Sequence, residues 1–544
     1  MKPSVLVVSL GVCVSGSAFA GGLILPGSGA VSTSRAGTGV ASTEGGEAIS
    51  LNPAGMAKSK GTTITVGAAI INYAMSFQRN GTYDTYTDPN LDPTPYEGQD
   101  YPIVENNPKP PLGIGPYQPI PVIAVTTDLG GRVPGLTVGA GLYAPNAYPF
   151  RNMNNVNGQP FFVPKSNGGY SFPTNLDAPP PPTRYDIIEQ EAAIILPSVA
   201  ASYRIMPDLD VGARFSIGWS EVKSTVAVWG EPANYNEYIK KDGLFTLDAK
   251  DSFVTAWALG AAYRPAPTIE LGAQYTGQID MRAEGEAVNE NGPQVTLNMQ
   301  PIMVLPSIGS RCNAGGTPEK LKGCVEFAVP MTATVGGRYK FLGEGGKLNG
   351  DLELNVNWQH WGAERTQDYR VVVDAQVTTA SMPDNGIDLK DNIVRHGLKD
   401  TYGVLLGGSW NFPAGNNTVT ARGGVGYETG AAKKGWERAD FDGAARAIFT
   451  VGGSYKLPRV SIDLGFGYIY EGTRTDSRTC NPVLTAPPYE GCGPNGEQQP
   501  IEDRQGPGPI NPIVNADQQL ENPVNEGTYK SHYLLFMLGM STWF

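Results

Sequence analysis

The chain has 544 residues, with 40 Lys and Arg against 52 Asp and Glu and a formal net charge of −12; so acidic a protein repels nucleic acid, which is excluded as a partner. Hydrophobic residues make up 40% and charged residues 17%, with 69 Gly and 45 Pro. That is too apolar for a disordered chain and too rich in Gly for a helical one.

The first residues read as a secretion signal: Lys2, an apolar stretch from Val5 to Val14, and Ala18-Phe19-Ala20 as a small-x-small cleavage site. Residues 1–20 are then removed and the mature chain starts at Gly21. Leu10-Gly11-Val12-Cys13 is a poor lipoprotein box, because Val12 stands where a small residue is required. Beyond the signal no window approaches the ~18 apolar residues of a spanning helix. The exported chain is left as a soluble secreted protein, a periplasmic one, or a membrane barrel.

Residues 21–60 are rich in small side chains and lack any period-two run. They carry Ser34-Arg35-Ala36-Gly37-Thr38-Gly39 and then Ala48-Ile49-Ser50-Leu51-Asn52-Pro53-Ala54-Gly55-Met56-Ala57. A segment of about 40 residues ahead of the first strand is long enough to reach into a lumen, and it reads as a plug.

From residue 61 to 544 apolar and small or polar residues alternate with period two. In Val211–Trp219 the face Val211, Ala213, Phe215, Ile217, Trp219 opposes Gly212, Arg214, Ser216, Gly218. In Val325–Phe341 the face Phe327, Val329, Met331, Ala333, Val335, Tyr339 opposes Glu326, Thr332, Thr334, Arg338. In Val460–Tyr470 the face Ile462, Leu464, Phe466, Tyr468, Tyr470 opposes Ser461, Asp463, Gly465, Gly467. These runs exceed the ~5–6 residues of a soluble strand and suit the ~9–11 needed to cross a bilayer at a tilt. Aromatic rings at their ends suit the membrane–water interface.

Connections alternate between tight links (130–135, 206–210, 265–267, 343–347, 413–417, 457–459) and long polar ones (80–119, 147–183, 229–244, 286–324, 372–398, 430–443, 474–527). This pattern predicts an all-β fold: a 14-stranded antiparallel transmembrane β-barrel of the bacterial outer membrane, with both termini on the periplasmic side and an N-terminal luminal hatch. Its surroundings would be outer-membrane lipid and lipopolysaccharide. After Cys13 leaves with the signal, Cys312, Cys324, Cys480 and Cys492 remain, an even number in an oxidising compartment, and local pairing inside two long loops is the favoured one of three connectivities. A metal site is the rival reading, but the eleven-residue gaps are not metal-ligand spacing and no His lies nearby. No cofactor is expected.

Asn52-Pro53-Ala54 after Ala-rich small residues, Asp251–Gly277, Phe327–Tyr339 with Pro330 and Gly336, Asp400–Gly408, and the terminal Phe544 closing an alternating strand together resemble the FadL-type family of outer-membrane channels for hydrophobic compounds. The loops are longer and richer in Pro than in that family, and Glu44 and Glu47 stand where its hatch carries an Asp-rich turn. The resemblance implies a monomeric, non-enzymatic uptake channel for a hydrophobic small molecule, a long-chain fatty acid or an aromatic hydrocarbon. It also implies a gate at Asn52, Pro53, Ala54 and Gly55, and a kink in strand three. Gly139, Gly141 and Pro145 are the places where ladder pairing weakens.

Two apolar loop runs, Phe161-Phe162-Val163 and Ile302-Met303-Val304-Leu305, are candidates for ligand capture or for packing of loop on loop. Arg214, Glu270, Arg338, Arg422 and Asp463 point inward at similar depth and form a mixed-sign belt, pairing with one another and the hatch, or meeting a ligand carboxylate. Of the other classes, a general porin would lack the plug, and an outer-membrane lipase would need a Ser–His pair. The chain holds only His360, His396 and His532, with no GxSxG. The acidic first loop (Asp84, Asp88, Asp92, Glu97, Asp100) lacks the spacing of a Ca²⁺ loop.

Overall fold

A computed structural model of the chain describes residues 23–476 and 527–544, apart from 87–88, 167, 229–236, 298–299, 308–310, 313–319, 382–385, 390 and 434–436. The signal peptide, Asp88, Cys480 and Cys492 lie outside the described residues.

The long alternating runs form fourteen barrel strands: β1 (Thr62–Arg79), β2 (Gln118–Thr127), β3 (Leu136–Tyr143), β4 (Glu189–Met206), β5 (Leu209–Val228), β6 (Gly243–Ala266), β7 (Ile269–Thr276, continuing as Ile279–Asn291), β8 (Leu321–Val329, continuing as Thr332–Leu342), β9 (Leu348–Gln359), β10 (Thr401–Ala414), β11 (Asn417–Glu428), β12 (Arg446–Lys456), β13 (Val460–Asp476) and β14 (Gly527–Trp543). Each pairs antiparallel with its neighbours, and β14 returns to β1 from Thr63↔Trp543 to Arg79↔Gly527, so the sheet closes into a barrel. The outward rows are exposed and apolar, as in Phe215, Ile217, Trp219 on β5 and Leu464, Phe466, Tyr470 on β13. Exposed apolar rows around a closed barrel are a lipid-facing surface.

One expectation fails. Val325–Phe341 does not keep a single apolar face: β8 breaks at Pro330–Met331, and β7 breaks beside it at Gly277–Gln278. Below the break Val335 and Tyr339 face outward at 55% and 50% exposure, whereas above it Val329 lines a luminal cavity and Phe327 packs on buried luminal residues. On β7 the change is sharper, with Ile279, Met281 and Ala283 buried while Asp280 and Arg282 are exposed. Two residues without ladder bonds let each strand turn its other face out. β6 makes the same change through a bulge at Asp251–Val254, above which Asp248 and Lys250 face outward. On β6, β7 and β8 the outward residues thus switch from apolar to charged toward the long-loop end.

Candidate functional site

Within the barrel the hatch is built of short helical turns, α1 (Ala30–Thr33) and α2 (Ala48–Leu51), with 3-10 turns at Gly45–Glu47 and Pro53–Lys58. Glu47 organises it: its buried carboxylate accepts the backbone N–H groups of Val31 (2.9 Å) and Ser32 (3.1 Å) at the start of α1. Burial pushes this carboxyl up to about 7.

Cross-strand glycine pairs in the wall receive the hatch backbone. Gly212 on β5 faces Gly260 on β6. A Cβ on Gly212 would stand 2.4 Å from both the Ala54 nitrogen and the Pro53 carbonyl carbon, and one on Gly260 would stand 2.0 Å from Asn52 Oδ1. Three further pairs, Gly272↔Gly336, Gly407↔Gly424 and Gly452↔Gly465, seat Val40, Arg35–Ala36 and Ser34 in the same way. Asn52 is fully buried; its Nδ2 donates to the carbonyls of Val40 (2.6 Å) and Ala261 (3.0 Å), and its Oδ1 accepts from Ala54 N–H (3.1 Å). Asn52, Pro53, Ala54 and Gly55 therefore lie wedged against β5 and β6. Only glycine allows so close an approach of backbone to wall.

The belt residues separate into two groups. Arg338 pairs with Glu270 (2.8 Å) and Asp351 (2.5 Å), Glu270 also takes Lys58 of the hatch (3.5 Å) and Lys340 (3.1 Å), and Arg422 pairs with Asp463 (3.0 Å). Hatch Arg35 approaches Asp351 (3.4 Å) and Glu353 (3.5 Å). Arg214 stands apart: it is 4% exposed, it has no carboxylate partner among the described residues, and its Nε makes no hydrogen bond. Its Nη1 reaches the carbonyls of Ile49 and Ser50 only at 3.4 Å each, and its guanidinium lies over the Tyr143 ring at 4.4 Å.

Tyr143 ends β3, and there the hydrogen-bond ladder of the wall opens. The lower part of β3 pairs normally with β2 and β4, Gly139 and Gly141 included. The kink is therefore not at those two glycines. Gly139 instead gives room to hatch Ile49 and Met56. Departure begins beyond Tyr143, at Ala144–Pro145, where proline cannot donate to the ladder. Strand pairing with β4 resumes only at Arg151↔Gln190 and Asn152↔Glu189. The detached stretch pairs with the start of the hatch: Ile24 bridges Ala147, Leu25 N–H donates to Asn146 O (2.6 Å), and Asn146 Nδ2 donates to Pro26 O (3.3 Å).

Between hatch and detached strand lies a cavity of about 170 Å³, walled by Leu25, Val40, Leu51, Tyr143–Asn146, Arg214, Gln274, Asn355 and Leu405. Above it runs an apolar column, first Leu196, Val254, Ala256, Ile279 and Met281, then Leu247, Ala283, Leu321 and Val325 beneath the outer loops. Of the capture candidates, Phe161 and Phe162 are buried in a tyrosine-rich loop core with Tyr83, Tyr101 and Tyr185, so they are packing and not a landing surface; Val163 is exposed. Ile302, Met303 and Leu305 are half-buried in a strand paired with 376–379, and Val304 packs on the upper end of the column. Cys312 and Cys324 are joined in a disulfide. Among the described loop acids, Asp92 pairs with Lys240 and Glu97 caps backbone N–H groups, and no group of metal-ligating side chains occurs among the described residues.

The histidines hold structure together: His360 sits on Asp400, His396 on Asp440, and His532 on the Tyr468 ring, on the face of β14 opposite Ser531. No local sequence pattern marks Tyr143, Asp351, Glu353 or the docking of Ile24–Pro26 on the kink. The glycine seats leave a trace in the sequence, tandem Gly-Gly at 336–337, 407–408, 423–424 and 452–453.

The sequence profile described as outer membrane protein transport protein (OMPP1/FadL/TodX) matches residues 11–483. No curated protein sequence matches the chain. Among solved structures the fold resembles a FadL homologue of Pseudomonas aeruginosa, at 12% identity and a TM-score of 0.62, covering 96% of this chain and 100% of that one. It also resembles the toluene transporter TodX of P. putida (14%, TM-score 0.56, 96% and 99% covered) and the toluene transporter TbuX of Ralstonia pickettii (16%, TM-score 0.54, 96% and 99% covered). The profile spans most of the length of a closed barrel with a seated hatch, and the chain belongs to the OMPP1/FadL/TodX family of outer-membrane channels for hydrophobic compounds.

Proposed function

We propose that this channel takes up long-chain fatty acids, drawing the alkyl chain down the apolar column and holding the carboxylate at Arg214. Arg214 carries the reading. A buried guanidinium without a counterion is costly, and its neighbours in the belt are neutralised by protein carboxylates while it is not. An incoming carboxylate would supply the missing partner in a charge-assisted bond. The column supplies the rest: each buried CH₂ is worth ~0.8 kcal/mol, so a chain of about fifteen gains on the order of 12 kcal/mol before ordering costs. Binding that strong needs a release route, and the interruption of the wall beyond Tyr143, with the hatch start docked in it, supports exit there under control of the hatch. The protein acts as a passive monomeric channel and not as an enzyme.

A second reading, a channel for aromatic hydrocarbons, is favoured by the size of the cavity beside Arg214. At about 170 Å³ it suits a single ring, since an apolar cavity of ~150 Å³ accepts benzene.

Binding of palmitate and of toluene to the purified protein separates the two. Arg214→Met is expected to weaken palmitate about 10- to 100-fold, the equivalent of losing one charged hydrogen-bonding partner, and to leave toluene unchanged. Arg422→Met, whose arginine is already paired, is the control. Palmitate binding undiminished by Arg214→Met refutes the head-group role of Arg214, and wild-type protein that binds toluene and not palmitate refutes the fatty-acid assignment.

A further inference from the structure

The first outer loop contains a hairpin that is not a strand of the barrel wall. Three residues, Ile103–Glu105, pair with β1 at Ser76–Gln78, and β2 pairs with it from Ile71 downward. Asn106 still donates to Met75 O. Asn107 N–H still donates to Asn152 O (2.9 Å), and the stretch 108–117 is extra to the wall, at a height that β1 covers with Asn72–Ala74. It folds back on itself by paired bonds between Ile114 and Tyr117 (2.9 and 3.3 Å). The apolar tip of the loop is formed by the residues just ahead of that turn, Leu112, 73% exposed, and Ile114, 81% exposed.

The base of the hairpin fixes which side of the wall it occupies. The Tyr117 ring lies 6.0 Å from Phe536 on β14. β14 is on the far side of β1 from β2, and Phe536 belongs to the lipid-facing row that includes Leu538 and Met540. Tyr117 therefore crosses the outer face of β1. Phe536 is eight residues from Phe544 at the periplasmic rim. At ~3.3 Å per residue and a tilt of ~40° that is about 20 Å up a lipid-facing band ~25 Å tall. The same hairpin borders the opening in the wall, because the Pro116 carbonyl accepts the hydroxyl of Tyr148, which is fully buried in the detached stretch after β3.

We infer that the hairpin 108–117 is a lipid-seated element: Leu112 and Ile114 enter the acyl chains of the outer leaflet, continuous with the Phe536 row, and hold the hairpin against the membrane beside the opening. The occupant is lipid because the apolar tip extends an existing lipid-facing surface at a height within the apolar band. The exposed Lys109 at its base suits the polar headgroup level above it. This does not depend on which ligand the channel carries.

Nitroxide labels at Leu112→Cys and Ile114→Cys, in full-length protein reconstituted at low density into vesicles of lipopolysaccharide and phospholipid, test it by collision with oxygen and with a water-soluble nickel complex. Phe536→Cys serves as the lipid reference and Val163→Cys as the water reference. The expected result is a shift of both tip labels to the oxygen-dominated relaxation of Phe536→Cys. Nickel-dominated relaxation like that of Val163→Cys places the tip in water and overturns the inference. Dipolar broadening between tip labels of two molecules means that a second copy of the chain covers the tip, and overturns it equally.

Discussion

Replacing Gly212 with Val tests whether the hatch is held by the wall itself. The new Cβ would lie 2.4 Å from the Ala54 nitrogen and the Pro53 carbonyl carbon, both backbone atoms, so no side chain can swing aside. The hatch must retreat by roughly 1 Å to restore van der Waals contact. Overpacking of this kind costs ~1–3 kcal/mol. The retreat also stretches the Asn52 bond to Ala261 O, at 3.0 Å in the seated state, and leaves a buried amide short of a partner, for another ~1–2 kcal/mol. A loss of ~3 kcal/mol raises the unseated population on the order of 100-fold. The assay is single-channel conductance in planar bilayers, with entry of a hydrophilic antibiotic into cells as the second readout. Gly337→Val is the control, because that glycine, next to the seat Gly336, points the other way and its Cβ would meet only Leu271 Cδ2, at an ordinary 3.4 Å. Gly212→Val should produce frequent openings and Gly337→Val none beyond wild type. If folded Gly212→Val is as quiet as wild type, close approach to the wall does not hold the hatch.

Acidity should tighten the hatch. Glu47 is raised from an ordinary 4.5 to about 7, so the folded hatch binds more protons than the unfolded one, and its stability falls as pH rises between those values. Hydrogen exchange of peptides 23–60, corrected for intrinsic rates, should show greater protection at pH 5 than at pH 8, and Glu47→Gln should flatten the difference; equal slopes in the two proteins would refute it. Removing the Cys312–Cys324 bridge with Cys324→Ser frees a loop whose closure is worth ~3 kcal/mol in the chain-entropy model. Limited proteolysis of whole cells should then cut near residue 320 faster while the heat-resistant barrel band persists.

The barrel was legible in the sequence because its cause is local and repeated. Fourteen strands each satisfy their backbone with neighbours and turn one face to lipid, and that requirement writes a period of two into each run, from Val211–Trp219 to Leu534–Met540. The plug was legible for the converse reason, since residues 21–60 lack that period and could not be wall. Tertiary structure alone decided where each face turns over and which charges are left without a partner. The reversal at Pro330–Met331 depends on a break in β7 that is distant in sequence, at Gly277–Gln278. Arg214, Arg338 and Arg422 look equivalent along their strands; only closure of the barrel brings Glu270 and Asp351 to one and Asp463 to another, and sets Tyr143 beside the third. Pairing of charges is a property of distance in space, and a strand's own pattern records only which side of the wall a residue takes.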